Sequence, residues 1–432
     1  MQINCQQKDQ QILLFTVFRK HFFRDQSYYL KLSKKQILMS QECQFVKTKY
    51  VLDLSPDTQF EWIVRNQQLV GFLFPYQNKM KEFFGDSHNL TELKQILGKQ
   101  ILFKSLTIHY KLVRYLDSGA FGQISLQQNY INGQLIAIKT LINTNKSAQY
   151  LIENEMKILR ALNHPNILSI QEVFLTNLTY SIITDYIEGK NLRKLILENS
   201  ELQELTILQI AQVKILKLFF QQLFEGLSYI HKMGIIHRDI KPANLMLSKN
   251  GMLKIIDFGL SCYIGNQFQE NPKCGTPGFC APEILQNIDN NVAYDYKVDV
   301  FSAGCVLYKL LTFKGLFDAS TSAEVLKKNK NCLFIIKEQG RLFDLVKTML
   351  KQNPLERLSS EQALQLIKSM IEDDTLDVNI WYRLQLNSNQ STQSNIILTP
   401  KQSAQSKSLQ KFQSTPNYSR RSFFSSSLKT YR

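Results

Sequence analysis

The stretch that decides the fold reads His237-Arg238-Asp239-Ile240-Lys241-Pro242-Ala243-Asn244, and eighteen residues after Asp239 comes Asp257-Phe258-Gly259. Towards the N-terminus, Leu116-Asp117-Ser118-Gly119-Ala120-Phe121-Gly122-Gln123-Ile124 lies between two strand-like runs. Small residues in such a loop let backbone N–H groups approach phosphate oxygens closely. Fifteen residues after Ile124, Ile136-Ala137-Ile138-Lys139 reads as a strand ending in an amine, and Glu155 in the next helix is placed to hold that amine. Towards the C-terminus, Ala281-Pro282-Glu283 follows after a loop.

The patterning around these motifs is mixed. Residues 110–116, 123–127 and 134–140 read as strands, and Asn132-Gly133 between two of them is a hairpin turn, since both residues tolerate positive φ. Residues 148–162 carry Leu151, Ile152, Met156, Ile158 and Leu159 at helical spacing, and His164-Pro165 stops the helix. Beyond Tyr186 the chain turns helical, with amphipathic stretches at 205–233 and 298–312. A small β-rich lobe followed by a larger helical one is an α+β plan with a cleft between the lobes.

In this order the motifs resemble the eukaryotic protein kinase set, over residues 110–371. The resemblance implies a bilobal protein kinase fold, ATP and Mg²⁺ as cofactors, and transfer of the γ-phosphoryl group to protein hydroxyls. It implies that Lys139 contacts the α/β-phosphates, oriented by Glu155, with Glu153 the poorer partner. Asp239 takes the role of the aspartate that accepts or orients the substrate hydroxyl, and Lys241 that of the amine that neutralises the transferred group. Asn244 and Asp257 take the Mg²⁺ positions, hard oxygens for a hard cation. Gly119 and Gly122 fall in the phosphate loop. Ile124, Ala137 and Met246 enclose the adenine, and Asp185 and Ile187 lie in the hinge after the gatekeeper Thr184. Leu159, His237 and Phe258 stack in an apolar column, and Asp299, Glu283 and Arg357 anchor the large lobe. Lys241-Pro242-Ala243-Asn244 and Cys274-Gly275-Thr276-Pro277-Gly278-Phe279 are similar to serine/threonine kinases, with Thr276 hydrogen-bonded near Asp239 and Lys241.

The chain departs from the family pattern in places. Asp117 stands where the first glycine of the phosphate loop falls, which leaves a catalytically dead scaffold as the alternative function. Between Gly259 and Thr276 the only hydroxyls are Ser261 and Tyr263, and Asn271 and Pro272 occupy the usual phosphoacceptor position. Phosphorylation at that position is therefore not expected to be required. Asn191 and Ala243 stand where selectors of upstream arginine carry glutamate, so little preference for basic substrates is expected. Cys262, Cys274 and Cys280 read as ordinary thiols.

Composition bounds the rest. The chain has 432 residues, 44% hydrophobic and 20% charged, which suits a globular protein of two domains with an appendage. Seven scattered cysteines, a polar start and no apolar run of spanning length argue for a cytoplasmic protein, peripheral at membranes if its basic ends attract it there. The net charge of +16 divides into +6 over residues 1–110 (15 Lys/Arg, 9 Asp/Glu), +3 over 111–384 (30 and 27) and +7 over 385–432 (7 and none). A nearly neutral centre argues against a nucleic-acid partner. Residues 385–432, rich in Ser, Gln and Asn, read as a disordered basic tail. Its Thr399-Pro400, Thr415-Pro416 and Arg420-Arg421-Ser422 are sites other kinases could use, and chance explains the first two as well.

Residues 10–100 show strand-like runs at 10–23, 27–39, 49–54, 60–65 and 69–74 and a capped helix at 89–98. This suggests a small β-barrel or sandwich plugged by a helix. Tyr28-Tyr29-Leu30-Lys31-Leu32, Ile37-Leu38-Met39, Trp62 and Gly71-Phe72-Leu73-Phe74 resemble a pleckstrin-homology (PH) domain, although Leu93 and Leu97 stand where that family's last helix usually has tryptophan. The resemblance implies anionic membrane lipid, held by Arg19, Lys20, Arg24 and Lys31, or a protein partner.

Overall fold

The computed structural model describes residues 12–119, 122–199, 206–266, 274–286 and 294–372. The phosphoacceptor position at Asn271 and Pro272 and the 385–432 tail lie outside the described residues.

The chain opens with seven antiparallel strands: β1 (Leu13–Arg19), β2 (Gln26–Leu32), β3 (Gln36–Ser40), β4 (Thr48–Asp53), β5 (Gln59–Arg65), β6 (Gln68–Tyr76) and β7 (Lys79–Gly85). Helix α1 (Ser87–Gly98) follows. Alternation drives the strands: β2 buries Tyr28, Leu30 and Leu32 and leaves Tyr29 and Lys31 between them partly exposed. The run expected as one strand over 27–39 is two, because the Ser33 hydroxyl accepts from Gln36 N at 3.1 Å and turns the chain. Strand β7 is an addition to the expected set, since Lys79, Lys81 and Glu82 hide the pair it buries, Phe83 and Phe84. Helix α1 starts where the Asp86 side chain accepts from His88 N and Asn89 N, and it buries Leu90, Leu93 and Leu97 on one face.

Next come β8 (Leu102–Phe103), β9 (Tyr110–Gly119), β10 (Gly122–Asn129), β11 (Leu135–Ile142), α2 (Lys146–Ala161), β12 (Ile170–Leu175) and β13 (Thr179–Asp185). All thirteen strands form one sheet in the order β4-β3-β2-β1-β7-β6-β5-β8-β12-β13-β11-β10-β9. Among the described residues β4 does not pair with β5, so the first seven strands do not close into a barrel. They run on through β8 into the small lobe instead.

The large lobe holds β14 (Gly189–Asn191), α3 (Leu192–Asn199), α4 (Thr206–Lys232), β15 (Ile235–Ile236), β16 (Leu245–Ser248), β17 (Leu253–Ile255) and β18 (Cys262–Tyr263). Helices α5 (Pro282–Gln286), α6 (Lys297–Thr312), α7 (Ser322–Lys330), α8 (Arg341–Met349) and α9 (Ser360–Glu372) complete it. One apolar core runs from Met156, Ile158 and Leu159 of α2 through Phe220, Leu223 and Phe224 of α4 to Val300 and Phe301 of α6. A second, rich in aromatic rings, joins Trp62, Phe72 and Leu93 of the N-terminal strands and helix to Ile136, Ile138 and Ile183 of the small lobe. The cleft-facing segments are thus mounted on two continuous cores, and no described helix is long and apolar enough to cross a membrane.

Candidate active site

Antiparallel pairing sets the small-lobe half of the site. Lys139 on β11 lies opposite Ile124 of β10 and Ile182 of β13. Its Nζ donates to Glu155 Oε1 of α2 at 2.6 Å and to Asp257 Oδ1 at 2.9 Å, so one amine joins a strand, a helix and the large lobe. Burial alone would lower the Lys139 pKa, but the two carboxylates win and hold it above its ordinary value. Burial raises the Glu155 pKa, with Lys139 opposing. For Asp257 burial is outweighed by Lys139, so its carboxyl stays below its usual range. Glu153, the poorer candidate, takes a hydrogen bond from Gln149 at 2.7 Å instead.

In the glycine-containing turn Gly119 pairs with Gly122 across the β9–β10 hairpin. Gly122 has φ +122°, and a Cβ there would stand 2.3 Å from Thr140 O, so only glycine fits. Asp117 is exposed, and its carboxylate accepts from Ser118 N at 2.8 Å. Ile124 and Ala137 lie on adjacent strands, and Thr184 of β13 sits opposite Ala137, its Oγ1 donating to Ala137 O at 3.4 Å. Asp185 ends β13 and accepts from Gln171, Ile187 lies two residues on, and Met246 on β16 pairs with Asn191 below them.

A second cluster forms in the large lobe. Asp239 Oδ2 lies 2.7 Å from Lys241 Nζ, and Thr276 Oγ1 donates to Asp239 Oδ1 at 2.6 Å while accepting from Lys241 at 2.9 Å. Asn244 Nδ2 donates to both Asp239 Oδ2 and Asp239 O at 2.9 Å. With its amide hydrogens so committed, the Asn244 side chain has only its oxygen left to offer. The backbone here is strained: Arg238 has φ +65° and Asp257 φ +63°, conformations that cost non-glycine residues about 1–3 kcal/mol each. Asp299 of α6 compensates at Arg238, accepting from His237 N and Arg238 N at 2.8 Å and from His231 Nε2 at 3.0 Å. Burial raises its pKa, but these donors prevail and hold it low.

The support shell is assembled from distant sequence. His237 and Phe258 meet edge to face at 4.9 Å, and Leu159 lies in the same core as Phe258. Arg357 grips Glu283 through two hydrogen bonds of 2.6 and 3.2 Å. Ser261 is buried, its hydroxyl on His237 O. Burial raises the pKa of the Cys274 and Cys280 thiols, which makes them poor nucleophiles.

Three contacts escaped the sequence reading. Asn154 of α2 donates to Ser261 O at 2.9 Å, the Lys157 ammonium lies 5.2 Å from the Tyr263 ring centroid, and Arg238 donates to Tyr294 at 3.1 Å. Only Asn154 carried a signal, a polar residue on the apolar face of an amphipathic helix.

Among the described residues no group of three His, Cys, Asp or Glu side chains could hold a metal ion. The Asn244 amide oxygen and the partly exposed Asp257 carboxylate are two hard donors, which fits a magnesium ion that keeps water and phosphate as its other ligands.

Comparison with known proteins agrees with this geometry. The protein kinase domain model matches residues 110–376. The chain is 34% identical to serine/threonine-protein kinase cds1 of Schizosaccharomyces pombe, over 61% of this chain and 59% of that protein. It is 29% identical to calcium-dependent protein kinase 4 of Plasmodium falciparum, over 69% of this chain and 57% of that one. It is 30% identical to SNF1-related protein kinase catalytic subunit alpha KIN12 of Arabidopsis thaliana, over 60% and 51%. The match spans about three-fifths or less of these relatives' length, and ATP with Mg²⁺ is typical of their family. With its motifs joined in space as well as in order, the chain belongs to the protein kinase family.

Proposed function

We propose that the chain is an active serine/threonine protein kinase that transfers the ATP γ-phosphoryl group to hydroxyls of protein substrates. The observation that carries this reading is the Lys139 amine held between Glu155 and Asp257, which ties the two lobes in one hydrogen-bonded set. The Lys139 ammonium, with two of its three hydrogens on Glu155 and Asp257, has a third to offer a phosphate oxygen, and Asp239 orients the substrate hydroxyl and takes its proton. Lys241 offsets charge on the transferred group, and Thr276 keeps Lys241 and Asp239 in register. Asn244 and Asp257 would hold the magnesium ion, which would supply charge neutralisation at the phosphates. Gly119, Gly122, Ile124, Ala137, Met246, Asp185 and Ile187 form the nucleotide cradle, where positioning and charge supply the catalysis. Asp117, exposed and turned onto Ser118, weakens nucleotide binding at most. The test is Mg-ATP-dependent phosphorylation by the full chain, expected to vanish in Asp257→Asn. A wild-type chain that binds nucleotide without transfer supports the scaffold alternative.

Residues 110–371 serve as the catalytic domain in this reading, residues 10–100 as a PH-like module, and 385–432 as a tail. Seven antiparallel strands followed by one helix support the PH-like reading. Its partner is best sought at the end where β1, β3 and β6 finish and β2, β4 and β7 begin. Phe22 and Phe23 there are 94% and 95% exposed. Six cations (Lys20, Arg24, Lys47, Lys49, Lys79, Lys81) face three acids (Asp25, Glu42, Glu82) in the same loops and strand ends. Arg19 donates to Tyr50, Lys20 lies over Phe84 and Lys31 over Phe45, so three of the four expected ligands already have a partner. Exposed rings among cations fit an anionic bilayer surface better than an apolar protein groove. Full chain should float with vesicles containing phosphatidylserine and lose this on Phe22→Ser/Phe23→Ser. Equal flotation of both proteins would favour a protein partner.

A further inference from the structure

The seam between the N-terminal module and the small lobe is buried and hydrogen-bonded along its length. β8 pairs in parallel with β5 on one side and β12 on the other, and Leu102 N and Lys104 N donate to Thr58 O and Phe60 O at 2.8 and 2.9 Å. Its two side chains divide between the cores: Phe103 joins the module's aromatic cluster and Leu102 the cluster that contains α2. Lys94 of α1 reaches across to Glu172 of β12, both nearly buried, and the Tyr110 hydroxyl donates to the second Glu172 oxygen at 2.7 Å. Gly98 brings α1 so close to β12 that a Cβ there would stand 2.4 Å from Gln171 O.

The seam also reaches the helix that carries Glu155. Arg160, one and a half turns further along α2, donates from Nη2 to Ile101 O at 2.9 Å, and Asp57 in the β4–β5 turn is near enough to favour its charge. Burial pulls the other way, and the Arg160 Nε is buried without a hydrogen-bond partner among the described residues. An arginine kept there at that cost must be held by what its other nitrogen does.

We infer that the N-terminal module is a permanent brace on the catalytic lobe, with Arg160 as a positioning residue that holds α2 where Glu155 meets Lys139. The Lys139–Glu155 bond of 2.6 Å survives only if α2 stays against the sheet. Asn154 fixes the helix to the segment after Asp257, and Arg160 fixes its far end to Ile101, where the module meets β8. This inference rests on the assignment of Lys139 and Glu155 to the nucleotide phosphates.

The test uses the full chain with Arg160→Met and Arg160→Lys, each alone and combined with Glu155→Gln. Arg160→Met should lower kcat/KM for ATP by about tenfold, the effect of losing one charge-assisted hydrogen bond. Arg160→Lys, which keeps the charge and a donor, should recover part of it. In the Glu155→Gln background neither substitution should lower activity further, because the pair they position is already broken. Amide exchange across residues 146–161 should quicken in Arg160→Met. An unchanged kcat/KM, or a loss of equal size in both backgrounds, overturns the inference, since a general loss of stability acts in both. Should Arg160→Met not fold, the same comparison with Arg160→Lys decides it. A wild-type chain without transferase activity would sink the kinase reading instead, so the two failures are told apart.

Discussion

His109 gives the seam a measurable acid sensitivity. It precedes β9, is 1% exposed, and neither ring nitrogen has a hydrogen-bond partner among the described residues. Its neighbours are the rings of Phe174 and Tyr110, at 5.4 and 6.2 Å, and the charge of Lys94 reaches it. Burial, aided by the positive Lys94, lowers its pKa from 6.5 to about 3. The folded chain therefore refuses a proton that the unfolded chain accepts below 6.5. Stability from this group is fully present above pH 6.5 and is lost as pH falls towards 3, at about 1.4 kcal/mol per pH unit. From pH 6.5 to 5.0 the loss is about 2 kcal/mol. Urea unfolding of wild type and His109→Leu, followed by circular dichroism at fixed ionic strength from pH 7.5 to 5.0, isolates it. At pH 7.5 the variant should equal or slightly exceed wild type, because leucine leaves no unpaired nitrogen. By pH 5.0 its advantage should have grown by about 2 kcal/mol. Parallel pH profiles would refute the reasoning, for they would mean that water or a partner reaches the ring.

Lys94→Met should cost about 3–5 kcal/mol by stranding the Glu172 carboxylate, and Lys94→Met/Glu172→Leu should regain most of that; equal stability of single and double variants in urea unfolding would contradict it. Thr276→Val removes one hydrogen bond to Asp239 and one from Lys241, so kcat should fall about tenfold while the unfolding midpoint moves little; an unchanged kcat would show that Lys241 keeps its place without the hydroxyl. Arg357→Lys keeps the charge but not the two-pronged grip on Glu283, and should lower stability by about 2 kcal/mol, read as a drop in unfolding temperature.

The sequence made legible what short-range spacing encodes. The motifs implied that Lys139 meets Glu155 and that Thr276 sits beside Asp239 and Lys241, whereas Asp257 was given only a metal role and its bond to Lys139, 118 residues away, was not foreseen. Helix α2 was readable because its apolar residues repeat and Pro165 stops it. The seam was not readable. Lys94 and Glu172 lie 78 residues apart, and each reads locally as a surface charge on an amphipathic element. Two-residue β8 is too short to show alternation, and one histidine before a strand gives no sign that both its nitrogens will be buried. Strand β7 was masked by Lys79, Lys81 and Glu82, which break the apolar alternation of a strand that lies between β1 and β6.

The strained residues of the site explain why such a seam is useful to this chain. Arg238 and Asp257 hold positive φ only because something rigid opposes each: the Asp299 carboxylate beneath Arg238, and the Lys139 amine against Asp257. Asp299 is anchored inside the large core, but Lys139 stands on a strand of the small lobe and depends on Glu155, which depends on α2. Relaxation of α2 would free Lys139 and let Asp257 leave its unfavourable conformation, so the site would disassemble downhill. A small lobe with an exposed back would have to resist this with its own five strands. Here the sheet continues for eight more strands, and its aromatic core crosses the seam without a break. Moving α2 would then break the Arg160 hydrogen bond and disturb the core that α2 shares with Leu102 of β8, so the seam resists losing the Lys139–Glu155 pair.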